Sequence, residues 1–296
     1  MWLLLVIAAH LLYAIVSVGD KYILSREVKS PLAYAFYNGL LGGLAIFLFP
    51  LAWQMPGGKV VIAALAAGAF FVIALISFFS AIEKNPTSRI IPFIGTMVPL
   101  FTFVLSSIFL QEKLNRDQFI AFYLLILGGI LITAERRRRN LFSRQGVMYG
   151  LAAAFCFATS FILTKYVYNL APFWVGFIWI KVGSLALALS IFLIPAWRKK
   201  IKKAPQKAGR KVGLSYLGIR VIAALSAIML NYAIFLSSVI IVNALQGVQY
   251  IFLLIIALIL SKKIPALFSE EFQNQKVQKI IAIVLITFGL TILAFK

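Results

Sequence analysis

The sequence predicts an all-α integral membrane protein whose ten transmembrane helices form two inverted five-helix repeats. Three observations lead there. The chain of 296 residues is 62% hydrophobic and only 12% charged, far more apolar than the roughly 45–50% usual for soluble domains. Its apolar residues gather into ten runs, each near the length of about 20 residues that a bilayer requires. Midway, Ala134 to Gly146 (Ala-Glu-Arg-Arg-Arg-Arg-Asn-Leu-Phe-Ser-Arg-Gln-Gly) is a basic, polar interruption with five runs on either side.

In order, the runs lie at 2–24, 32–53, 60–82, 88–110, 117–134, 147–168, 172–195, 213–236, 238–260 and 278–295. They lack the alternation of membrane barrels and therefore read as helices, which satisfy their backbone groups internally. The first run follows no basic segment and is too long for a signal-peptide core, so it reads as a retained span. Pro31, Pro56, Pro172 and Pro265 fall in connections, whereas Pro92 and Pro99 fall inside the fourth run.

Matching words recur in the same order on both sides of the interruption. Asp20-Lys21-Tyr22 ends the first run and Thr164-Lys165-Tyr166 the sixth. Ile46-Phe47-Leu48-Phe49-Pro50-Leu51-Ala52-Trp53 is matched by Ile191-Phe192-Leu193-Ile194-Pro195-Ala196-Trp197, and Gly128 in the fifth run by Gly289 in the tenth. The reading is a repeat over 1–134, a basic connecting loop over 135–146 and a second repeat over 147–296. Because five is odd, tandem units must lie in the membrane with opposite orientations, the plan of many secondary transporters, whose solute site sits near the midplane between the halves.

The formal net charge of +21 comes from short basic clusters between apolar runs. That pattern argues against a nucleic-acid partner and for membrane lipid, including anionic headgroups. Arg198-Lys199-Lys200-Ile201-Lys202-Lys203, continuing to Lys211, reads as a solvated loop touching such lipid. The lone cysteine, Cys156, cannot form an intramolecular disulfide and leaves the redox compartment open.

Asn85-Pro86-Thr87-Ser88 leads into the fourth run, Pro99-Leu100-Phe101-Thr102 lies within it, and Gln111-Glu112-Lys113-Leu114 closes it. These words resemble the EamA-type ten-helix members of the drug/metabolite transporter superfamily, and the likeness spans most of the chain. In the second half Ile251 stands where the proline would fall, and Lys263-Ile264 where the acid would be. The resemblance implies a transporter with a central cavity lined by helices one to four and six to nine, with five and ten peripheral.

Charge predicts sidedness in a cell membrane, plasma or inner. Connections after odd-numbered runs carry Lys21, Arg26, Lys29, Lys84, Arg89, Arg136 to Arg139, Arg144, the eight basic residues from Arg198 to Lys211, Lys262, Lys263, Lys276 and Lys279. The opposite side has Lys59, Lys113, Arg116, Lys165 and Lys296. The positive-inside rule makes the first set cytoplasmic and puts both termini outside, against the cytoplasmic termini that the resemblance implies.

Polar groups within the runs are few and therefore informative. Lys181 falls about 13 Å into the seventh run and Arg220 about 12 Å into the eighth, at 1.5 Å per residue. They suggest a cationic pocket; the structural alternative pairs Arg220 with Asp20 or Glu83 and lets Lys181 snorkel. Asn243, Gln246 and Tyr250 share a helical face in the ninth run, beside Gln249, and Asn231 lies in the eighth; such amides orient a solute or bond neighbouring helices. His10 and Tyr13, one turn apart in the first run, complete the candidate substrate-binding set, with His10 also a possible proton relay. No acid is central in a run, which disfavours proton exchange for lipophilic cations.

No metal, nucleotide or nucleophile motif points to an enzyme, and neither cofactor nor metal is expected. The expectation is a secondary transporter of small polar metabolites, amino acids or related organic anions and zwitterions, in the direction of export. The alternatives are an exporter of lipophilic cations or drugs and a non-transporting membrane scaffold. Oligomeric state is left open.

Overall fold

The computed structural model describes residues 1–26, 30–52, 54–85, 87–133, 143–203, 210–261 and 276–295, which are helical almost throughout. The first half contains α1 (Trp2–Arg26), α2 (Pro31–Gly42), α3 (Gly58–Lys84), α4 (Thr87–Leu105) and α5 (Arg116–Thr133). The second contains α6 (Arg144–Leu170), α7 (Phe173–Leu193), α8 (Pro195–Lys203), α9 (Arg210–Leu236), α10 (Val239–Ala244), α11 (Gln246–Ser261) and α12 (Lys276–Ala294). Most of the central basic interruption and the Lys263-Ile264 position lie outside the described residues.

Among the described residues, 9 helices are long and apolar enough to cross a membrane. The fifth run is helical, as α5. The second run changes from α-helix to a 3₁₀ helix over Gly43–Leu51. Pro50, which has no N–H to donate, lies near the end of that tighter segment. The fourth run ends in a π-helical turn, Ser106–Leu110, stopped by Gln111 at φ 53°. There Glu112 of the closing word accepts a 2.6 Å hydrogen bond from Ser106 Oγ, and its own N–H donates to Ser106 O.

The chain forms two compact units, each drawing on both sequence halves. Unit 1 comprises 1–26, 113–139 and 209–296; unit 2 comprises 27–112 and 140–208. In unit 1, α1 packs on α9 and α11, and α5 packs on α12. The last contact is reciprocal. A Cβ at Gly128 would meet Ile286 Cγ1 at 2.6 Å, and one at Gly289 would meet Leu125 Cγ at 2.9 Å, so each matched glycine admits the other helix.

In unit 2, α6 packs on α3 and α4, and α7 packs on α2 and α3. Small residues again set the approach. A Cβ at Gly183 would lie 2.6 Å from Leu65 Cα, and one at Gly68 would run into the backbone of Ile180 and Ser184. Ser184 Oγ donates to Gly68 O at 3.1 Å and Ser160 Oγ to Ala67 O at 2.8 Å, so buried hydroxyls fasten α7 and α6 to α3. Asn85 closes the α3 end: its Nδ2 donates to Ala81 O, and its Oδ1 accepts from Ser143 N at 2.8 Å, just before α6. The pairings in the two units correspond. The first run meets the eighth and ninth, and the sixth meets the third and fourth.

Candidate functional site

His10, Tyr13, Ser17 and Asp20 recur at intervals of three, four and three along α1 and therefore share one helical face. At 1.5 Å per residue this face is about 15 Å long. It is turned toward α9 and α11 in unit 1. The Arg220 guanidinium of α9 pairs with the Asp20 carboxylate, the side chains being 9% and 21% exposed. Gln249 Nε2 of α11 donates to Ser17 Oγ at 3.1 Å, and that hydroxyl donates to Tyr13 O at 2.8 Å. Tyr13 lies within electrostatic reach of Arg220.

The buried polar atoms of unit 1 with no hydrogen bond of standard geometry among the described residues include both ring nitrogens of His10, which is 3% exposed, and the Tyr250 hydroxyl of α11. The Gln249 side chain and Val242 backbone approach His10 but miss hydrogen-bonding geometry. Buried polar groups in native proteins are nearly always paired, so such orphans call for an explanation.

The ninth run is broken where its polar residues lie. α10 ends at Ala244 and α11 starts at Gln246, with Leu245 between them at φ −66°, ψ −3°. Asn243 lies on α10, and Gln246 and Tyr250 lie on α11. Asn243 is 6% exposed, and its Nδ2 donates to Val239 O at 2.9 Å. Asn231 Nδ2 likewise donates to Ala227 O at 2.8 Å. Both amides thus have one donor engaged on their own helix.

Seven of the eight sequence-predicted site residues lie in unit 1; Lys181 alone lies in unit 2. Its Nζ stands 5.4 Å from the ring centroids of both Phe71 and Phe177, and a Cβ at Gly42 would lie 3.7 Å from its stem. Phe71 continues edge-to-face to Phe157, and Phe157 stacks on Phe161. Among the described residues no carboxylate pairs with Lys181, so aromatic faces supply its electrostatic company.

Arg220 lies within α9 and pairs with Asp20 within α1, the structural partner that the sequence reading offered as its alternative. Ser17, Asp20 and Gln249 also join the polar face although none was in the candidate set. The signal was the His10-Tyr13-Ser17-Asp20 spacing.

Residues 1–134 match the EamA-like transporter family. Over 129 residues the chain is 26% identical to a Bacillus subtilis (strain 168) protein described as uncharacterized transporter YxxF. That match covers 43% of this chain and 41% of the relative, so the chain spans about two fifths of the relative's length. A crystal structure with 15% sequence identity aligns over 99% of this chain and 96% of its own, with a TM-score of 0.71. That likeness concerns the fold alone.

Proposed function

We propose that this chain, whose residues 1–134 match the EamA-like transporter family, is a secondary transporter of the drug/metabolite transporter superfamily that exports small polar metabolites. The solutes are amino acids or related organic anions and zwitterions, moved by alternating access. The observation that carries the reading is the polar face of α1, with the unpartnered His10 ring and Tyr250 hydroxyl beside it. A soluble polar ligand can offer both groups the hydrogen bonds that the chain does not, whereas an inert scaffold gains nothing by burying them.

Arg220 attracts negative groups in unit 1 by exchanging Asp20 for a ligand carboxylate, and Lys181 attracts them within unit 2. Asn231, Asn243 and Gln246 orient the solute through their amides, and Tyr13 and Tyr250 contact its apolar part. Matched words in the sequence and corresponding helix pairings support two inverted five-helix repeats with ten spans. The charge distribution supports outside termini in a cell membrane.

The test is a thermal-shift screen of the purified, detergent-solubilised chain against matched anionic, zwitterionic and cationic metabolites, followed by flux measurements in proteoliposomes. A ligand bound only by the folded state raises its melting temperature. Stabilisation by anions or zwitterions that is lost in Arg220→Ala and Lys181→Ala supports the reading. Stabilisation by lipophilic cations alone overturns it in favour of drug export, for which the Phe71, Phe157 and Phe161 rings would be the lining.

A further inference from the structure

The basic stretch after the seventh run begins as a docked helix, not a loop. Trp197 N and Arg198 N both donate to Ile194 O as α8 opens, and the helix runs over Pro195–Lys203. Its inward anchor is Ile201, 1% exposed, packed with Ala33 and Phe36 of α2, Val72 of α3, and Ala188 and Ile191 of α7. Lys202 Nζ lies 6.0 Å from the Phe192 ring. Arg198, Lys199, Lys200 and Lys203 remain exposed. Immediately before them Leu193 and Ile194 are 77% and 41% exposed, and Trp197 is 38% exposed.

Apolar residues and a tryptophan that give way to a rigid row of cations match a bilayer interface: acyl chains below, anionic headgroups above. Helix direction adds to the contrast. α3 and α7 run the same way, Leu65 meeting Gly183 and Gly39 lying between Val72 and Ala188, so α8 and Lys84 sit at one end of unit 2. The Asn85 to Ser143 bond brings Arg144 there as well, with Glu83 as an acid at that end.

We propose that α8 is a preformed site for anionic phospholipid headgroups at the membrane surface. It is separate from any solute site and does not depend on which solute is moved. A docked helix fixes the spacing of its cations, so it should bind such lipid more tightly than an equally charged stretch elsewhere.

The experiment titrates the full-length, detergent-solubilised chain with phosphatidylglycerol or phosphatidylcholine and reads bound lipid by native mass spectrometry. Arg198→Gln, Lys199→Gln, Lys200→Gln and Lys203→Gln are combined in one variant. A control combines Arg136→Gln, Arg137→Gln, Arg138→Gln and Arg139→Gln, which removes the same charge. Each cation near an anionic surface contributes about fivefold in affinity, so the α8 variant should lose more than about tenfold for phosphatidylglycerol. Its phosphatidylcholine binding should be unchanged, which also reports that it is folded, and the control should lose less. Equal losses in both variants, or none in the α8 variant, would overturn the proposal. So would competition by millimolar inorganic phosphate, which marks a site for free anions. The wild-type chain gives an independent check. Raising salt from about 0.1 M to 1 M shortens the screening length from about 10 Å to about 3 Å, and a phosphatidylglycerol preference that survives it also sinks the idea.

Discussion

Asp20 and Arg220, 200 residues apart, form an ion pair that fastens α1 to α9. Both side chains are mostly removed from solvent. Removing one partner of such a pair strands the other charge, whereas removing both does not. Asp20→Ala and Arg220→Ala should therefore each destabilise the chain by about 3 kcal/mol, and the double variant by less than the sum. A thermodynamic cycle from melting curves measures this. Additive losses would mean that the pair is not coupled.

The crossing of α3 with α7 leaves no room for a methyl group. A Cβ at Gly68 would enter the Ile180 and Ser184 backbone, which cannot rotate away as a side chain can. Gly68→Ala should cost about 1–3 kcal/mol, the usual range for overpacking. Gly218→Ala is the control, because nothing among the described residues lies within 4 Å of its Cβ position. Equal melting temperatures for the two variants would contradict the packing.

Lys181 touches two aromatic faces, so its charge and its stem can be separated experimentally. Lys181→Arg keeps a cation that stacks well on Phe71 and Phe177; Lys181→Met keeps only an apolar stem. If the charge serves an anionic solute, ligand-induced stabilisation should survive in the arginine variant and vanish in the methionine variant. The unliganded Met variant should melt no lower than wild type, since it no longer buries a charge. Full ligand response in Lys181→Met would remove Lys181 from the site.

These tests touch features of uneven legibility in the sequence. Apolar run length was enough to locate the helices, because a span must be both long and apolar. Gly128 and Gly289 were visible as matched positions, and the structure shows them opposed on α5 and α12. The membership of the two units was not visible: it depends on contacts between runs far apart, such as α1 with α9, that no local pattern records. α8 was misread as a loop because one inward residue, Ile201, anchors it amid lysines. The i, i+4 spacing of Trp197 and Ile201 was the available clue.

Tyr250 separates a site from a scaffold most cleanly. Its hydroxyl is buried and has no hydrogen-bond partner among the described residues, and an unsatisfied group of that kind costs about 1–3 kcal/mol. Tyr250→Phe removes the oxygen and leaves the ring's shape, so the unliganded chain should become more stable by about 1 kcal/mol. If the hydroxyl is kept for a solute, the same variant should lose ligand-induced stabilisation and transport in proteoliposomes. A stability gain at the expense of function is the mark of a binding site. Under a purely structural role the variant would be neutral or less stable, because a tyrosine retained for packing would be using its hydroxyl. Melting curves with and without the solute found in the screen, run beside flux assays, distinguish the two: a more stable variant with full transport would clear Tyr250 of any part in binding, and a less stable one would mean that the hydroxyl already has a partner.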